Sequence, residues 1–151
     1  MDICTVSLKN YKNIFLQVVL LNAFAVCSSY AIVSWWPFDQ VVIDGKQFFV
    51  DFLLGAMIIL AVTHTFYTKK QLSKLLVIED FNTRVTEHVK IYKIRMLWYL
   101  GACFVSCIIY VLTTRVFFLY FAIFDFASSL PLYPNKSVFK KELMNDDIVF
   151  H

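Results

Sequence analysis

Residues 96–114 read MLWYLGACFVSCIIYVLTT, without one charge. Residues 14–33, IFLQVVLLNAFAVCSSYAIV, do the same, and residues 52–67, FLLGAMIILAVTHTFY, form a third apolar run between them. An α-helix needs about 20 residues to cross about 30 Å of hydrocarbon. The first and last runs meet that length. The middle run meets it when Phe48 to Thr68 is counted, which sets Asp51 near the headgroups. A core helix of a soluble protein would carry a polar stripe every three or four residues. These runs carry Gln17, Asn22, Ser28 and Ser29 but no charged stripe. The expected fold class is therefore all-α, a polytopic helical membrane protein with three transmembrane helices and a long cytoplasmic helical connection. A transmembrane barrel would need short alternating segments instead.

Composition agrees. Of 151 residues, 60% are apolar and 17% charged, against roughly 45–50% and 25% in soluble domains. The first run is too long for the apolar core of a signal peptide and continues past Ala23-Phe24-Ala25, so it is expected to be an uncleaved span. Three of the four cysteines, Cys27, Cys103 and Cys107, fall inside apolar runs and read as small packing residues, while Cys4 lies in the polar start. No disulfide framework is indicated.

The expected segments are a cytoplasmic N-terminus (1–12), a first span (13–36), an outer loop (37–47), a second span (48–68), a basic connection (69–95), a third span with an aromatic extension (96–124), and an outer loop or truncated tail (125–151). Trp35, Trp36 and Pro37 close the first span. Asp44-Gly45 signals a turn in the loop. In the connection, Leu72, Leu75 and Leu76 share a helical face, with a break expected near Asp80-Phe81-Asn82. It reads as a helical linker packed on its neighbours or an interfacial helix on lipid. For 96–124 the sequence leaves two readings open: one long helix containing Arg115, or a helix ending near Thr114 followed by an interfacial aromatic segment.

Lysine and arginine placement sets the expected orientation. The connection carries Lys69, Lys70, Lys74, Arg84, Lys90, Lys93 and Arg95, whereas the 37–47 loop carries only Lys46. The connection is thus cytoplasmic, and with three spans the tail lies outside. Lys69, Lys70, Lys74, Lys90, Lys93 and Arg95 form a candidate lipid-facing cluster, each attracting anionic lipid by about 1 kcal/mol when close to the surface. This explains the basic charge without nucleic acid. Asn135-Lys136-Ser137 is a glycosylation sequon, and the three-span orientation predicts a luminal, modifiable Asn135.

No phosphate-binding glycine loop, zinc-binding histidine pair or nucleophile elbow is present. Only three glycines occur, and His64, His88 and His151 sit in different segments. No enzyme activity, metal or cofactor is expected. The candidate polar residues at membrane depth are Asp51, His64 and Arg115. His64 suits an interhelical hydrogen bond. Arg115 must snorkel, pair or line a wet cavity, because a lone arginine in lipid costs at least about 2.5–3.5 kcal/mol. The load of 16 Phe, 8 Tyr and 3 Trp serves either a packed bundle or a hydrophobic ligand pocket.

The stretch DFLLGAMIILAVTHTFYTKKQLSKLLVIEDFNTRV, residues 51–85, resembles the insect gustatory receptor family within the insect chemoreceptor superfamily. The features that carry the resemblance are Lys69-Lys70, Leu72, Leu75-Leu76, Glu79-Asp80 and Asn82, after a second apolar helix. Family members have seven spans, about 400 residues, and a terminal helix with a T-Y…Q-F pattern that this chain lacks. The resemblance implies the N-terminal part of a ligand-gated cation channel of the cell membrane that detects tastants and assembles as a tetramer when full length. It also implies that this chain alone does not conduct, and that a small-molecule ligand sits among the outer halves of the early helices. Two other readings stand beside it: a small multi-pass scaffold or accessory subunit acting in a homo- or hetero-oligomer, and a fragment of a transporter.

Overall fold

A computed structural model of the chain describes residues 5–35, 47–143 and 149–150. Most of the expected outer loop lies outside the described residues, as does Trp36. Five α-helices are described: α1 (Leu8–Trp35), α2 (Gln47–Leu75), α3 (Phe81–Thr113), α4 (Val116–Ser129) and α5 (Lys136–Leu143). A 3-10 turn, Leu130–Leu132, extends α4. A two-residue parallel pair, β1 (Thr5–Val6) with β2 (Val149–Phe150), ties the two ends of the chain together.

Three helical stretches are long and apolar enough to cross a membrane: Leu8–Trp35, Asp51–Leu75 and Phe81–Thr113. A fourth stretch qualifies only when Val116–Leu132 and Lys136–Leu143, bent by 79°, are taken together. The outward faces are apolar, with Phe24 71%, Ile59 66% and Phe124 67% exposed. Soluble proteins seldom leave such contiguous apolar surface open to water.

The direction of each helix follows from its partners. Tyr11 meets His88 and Tyr92, and Ala25 packs with Cys103 and Cys107, so α1 and α3 run parallel. On α2, Leu54 and Met57 pack near Tyr110 and Phe118, while His64 meets Trp98. That makes α2 antiparallel to α3. On α4, Phe118 packs with Tyr110, Ser106 meets Asp125, and Leu132 accepts from Tyr92. Hence α4 runs back along α3, and the bundle is up-down-up-down.

Local chemistry places the breaks. Asp80 caps α3, accepting from the backbone N–H groups of Asn82 and Thr83. Arg84 donates to the carbonyl of Ile78, satisfying the loop that leaves α2. The break expected near Asp80 therefore lies just before Phe81. At the other end of α3, Thr114 adopts the left-handed region at φ 53° and its N–H reaches the Tyr110 carbonyl at 2.7 Å. The chain reverses over Thr114 and Arg115. Within residues 96–124 the helix ends at Thr113, as in the reading that stops it near Thr114, and the aromatic segment that follows is itself a helix, α4. The two form a helical hairpin, because the apolar face of α4 finds a better partner in α3 than in a continued axis.

From that turn the chain descends to the Tyr11 end of the bundle. There α5 buries Phe139 and Leu143 in a cluster with Tyr11, Phe15, Tyr92 and Met96. Residues 136–143 therefore sit at the same end as residues 81–95, whereas a third and last crossing was expected to carry the tail to the opposite end.

Candidate functional site

A crevice of about 450 Å³ opens between α2, α3 and α4, within the usual size range of ligand pockets. From α2 it takes Met57, Ile58, Leu60, Ala61 and Val62, and from α3 Leu97, Trp98, Gly101, Ala102 and Val105. Phe121, Phe124 and Asp125 close it from α4. It exists because α2 packs loosely: only 6% of its apolar window is buried, against 28% for α3. Gly101 deepens the α3 wall, since a Cβ added there would meet no atom within 4 Å. Ile58, Val105 and Phe124 form an open apolar rim, each at least half exposed.

Asp125 is the sole charged residue of the wall. The Ser106 hydroxyl lies 3.4 Å from its carboxylate and 2.9 Å from the Ala102 carbonyl. A serine has one proton to donate, shared here between the two acceptors. The carboxylate keeps acceptor capacity, and no cationic side chain among the described residues forms an ion pair with it.

A second polar cluster lies at the Tyr11 end. His88, 1% exposed, has Nδ1 3.0 Å from the Tyr11 hydroxyl and Nε2 2.8 Å from Glu142. Arg95 donates to the other Glu142 oxygen at 3.1 Å. Arg84 also donates to the Leu143 carbonyl at 3.2 Å. The imidazole bridges both neighbours, its Nε2 facing the carboxylate and its Nδ1 facing the tyrosine hydroxyl. Burial presses the Glu142 carboxyl upward, but the hydrogen bonds and positive charge of His88 and Arg95 outweigh it and hold the group below the ordinary glutamate range. The arrangement is a clasp that fastens α5 to α1 and α3.

The residues singled out from sequence fall in separate places. Asp51 is exposed near the start of α2. His64 stacks on Trp98 with ring centroids 4.6 Å apart and planes nearly parallel, and lies 3.4 Å from the Thr68 hydroxyl. It joins α2 to α3 by ring contact. Arg115 is exposed at the α3–α4 turn, in the N-cap position of α4 without a side-chain cap hydrogen bond, and so is not held in mid-helix. Asn135 is exposed before α5, its side-chain oxygen accepting from the Ser137 N–H at 3.2 Å. Lys69, Lys70, Lys74, Lys90 and Lys93 are exposed, with Lys90 paired to Glu87. Arg95 is less exposed than these lysines and its guanidinium pairs with Glu142.

Asp125, Ser106, His88 and Glu142 were not among the sequence candidates. Asp125 carried a signal, as the one acid in the run 116–130. The His88–Glu142 pair spans 54 positions and left no local trace. Asn22 is fully buried in α1, and its amide has no hydrogen-bond partner among the described residues. Among those residues no group of three or more His, Cys, Asp or Glu could hold a metal ion. No protein-family model, curated protein or solved structure matches this chain.

Proposed function

We propose that the chain is a multi-pass cell-membrane bundle that holds a small hydrophobic molecule between α2, α3 and α4, as the N-terminal part of a gustatory-receptor-like, ligand-gated cation channel. The observation that carries the binding half of this reading is the crevice: ligand-sized, apolar-walled and open along the bundle's side. The channel half is supported by the resemblance of residues 51–85 alone. The weakly packed faces of α2 equally favour a second reading, an accessory subunit whose exposed helix docks on partner helices in a homo- or hetero-oligomer. Lipid contact is common to both.

The test uses the chain reconstituted in phosphatidylcholine nanodiscs and a diazirine-bearing dodecanol as photolabel. Adducts are expected on peptides carrying residues 57–62 and 97–105, with saturable dependence on probe. Gly101→Phe starts from a position where an added Cβ meets open space; it should fill the crevice and abolish saturable labelling while helix content is retained. Labelling spread evenly over all outward faces, unaffected by Gly101→Phe, would refute the ligand reading and favour the accessory one.

A further inference from the structure

We infer that the crevice selects an amphiphile with a cationic head, its ammonium paired with Asp125 and its chain laid between α2 and α3. This rests on the ligand reading of the crevice and names the chemistry that reading leaves open. The wall decides it. The crevice is apolar except at one place, and that place is a carboxylate. A carboxyl group at membrane depth is costly unless it is paired or neutralised. Asp125 has no cationic partner among the described residues. The hydroxyl that hydrogen-bonds it, Ser106, also donates to the Ala102 carbonyl at the shorter distance.

An ammonium head supplies what the site lacks: up to three donors and the opposite charge. A carboxylate-headed or phosphate-headed molecule would set like charges together in a low-dielectric place. A neutral alcohol could hydrogen-bond Asp125 but would not compensate its charge. The aromatic rings of Trp98, Phe121 and Phe124 line the same crevice, and aromatic faces also attract cations. Size agrees, since about 450 Å³ accommodates a drug-sized amine rather than a whole phospholipid.

The experiment compares two photolabels of equal chain length, diazirine dodecylamine and diazirine dodecanol, in the same zwitterionic nanodiscs. Each is corrected for its measured partition into protein-free discs. The amine is expected to half-saturate the crevice at a concentration at least about tenfold lower than the alcohol, the preference a charge-assisted hydrogen bond provides. In Asp125→Asn that ratio should fall to within about twofold, and Asp125→Glu should restore most of it. Helix content by circular dichroism checks that each variant folds. A ratio under about twofold in the native chain, or one that persists in a folded Asp125→Asn, overturns the amine assignment. The native-chain comparison decides the matter even if Asp125→Asn fails to fold. Saturable crevice labelling by the alcohol with no amine preference leaves the ligand reading standing while this inference fails. Exclusion of both probes, by a bilayer acyl chain or a docked helix, overturns both.

Discussion

At the residue scale, the α3–α4 reversal depends on Thr114. A β-branched residue pays about 1–2 kcal/mol for the left-handed region, where asparagine is better tolerated. Here the conformation closes α3 and lets the chain return within two residues. Thr114→Asn is therefore expected to raise stability by roughly 0.5–1 kcal/mol, read as a higher midpoint in a detergent unfolding titration. An unchanged or lowered midpoint would show that Thr114 contributes more through its hydroxyl contact with the Thr113 carbonyl than its backbone costs. Sequence showed a polar pair at 113–114 followed by Arg115, enough to mark a boundary. It did not show whether the chain stops, bends or reverses, because that choice depends on what the next apolar face can pack against.

At the scale of elements, α5 has eight residues, too few to be stable as an isolated helix. Its place depends on Phe139 and Leu143 and on the Glu142 clasp. The folded state holds Glu142 below its ordinary range, so the clasp is fully present above the unfolded pKa and is lost as pH falls through the lower folded value. A fluorophore on Ser137→Cys should report release of α5 in that acid window and tight docking at neutral pH. Glu142→Gln keeps the shape but removes the charge, and should weaken docking by about 1.5–3 kcal/mol while flattening the acid transition. A variant with an undiminished acid transition would assign the pH response to other carboxyls. The α2–α3 break shows the opposite balance of local and distant information. Asp80 followed by Asn82 and Thr83 is a capping pattern readable in sequence, and the cap lies there in the structure.

At the scale of the whole molecule, the return of α4 along α3 offers a four-crossing alternative to the three-span topology that charge counting suggests. Val116–Leu132 is about 27 Å long, close to the thickness of the hydrocarbon core. Val116–Leu132 is long and apolar enough to cross only when Lys136–Leu143 is taken with it, but if the Tyr11 end sits in the cytoplasm and α4 is counted as a fourth crossing, residues 81–95 and α5 share one side. Asn135 is then expected to remain unglycosylated in microsomes, the reverse of the three-span expectation. An acceptor engineered between Thr86 and Lys90 should also stay unmodified, and so should one in a tail extended beyond His151. Modification at Asn135 or in the extended tail would restore three crossings. The four-span arrangement also brings Lys136, Lys140 and Lys141 to the basic side, where the positive-inside rule favours them.

Sequence by itself determined the apolar character of the chain, three helices long enough to span a bilayer, and the break before α3. Each of these is written in consecutive residues, since hydropathy, capping and helix length are local properties. Only the tertiary structure decided that α4 folds back, that Glu142 meets His88 and Arg95, and that Asp125 lines a crevice. Those outcomes join positions on different helices, and Ser106 and Asp125 approach only because α3 and α4 run antiparallel. No local pattern encodes such a meeting. It is selected by which faces pack together when the whole bundle closes.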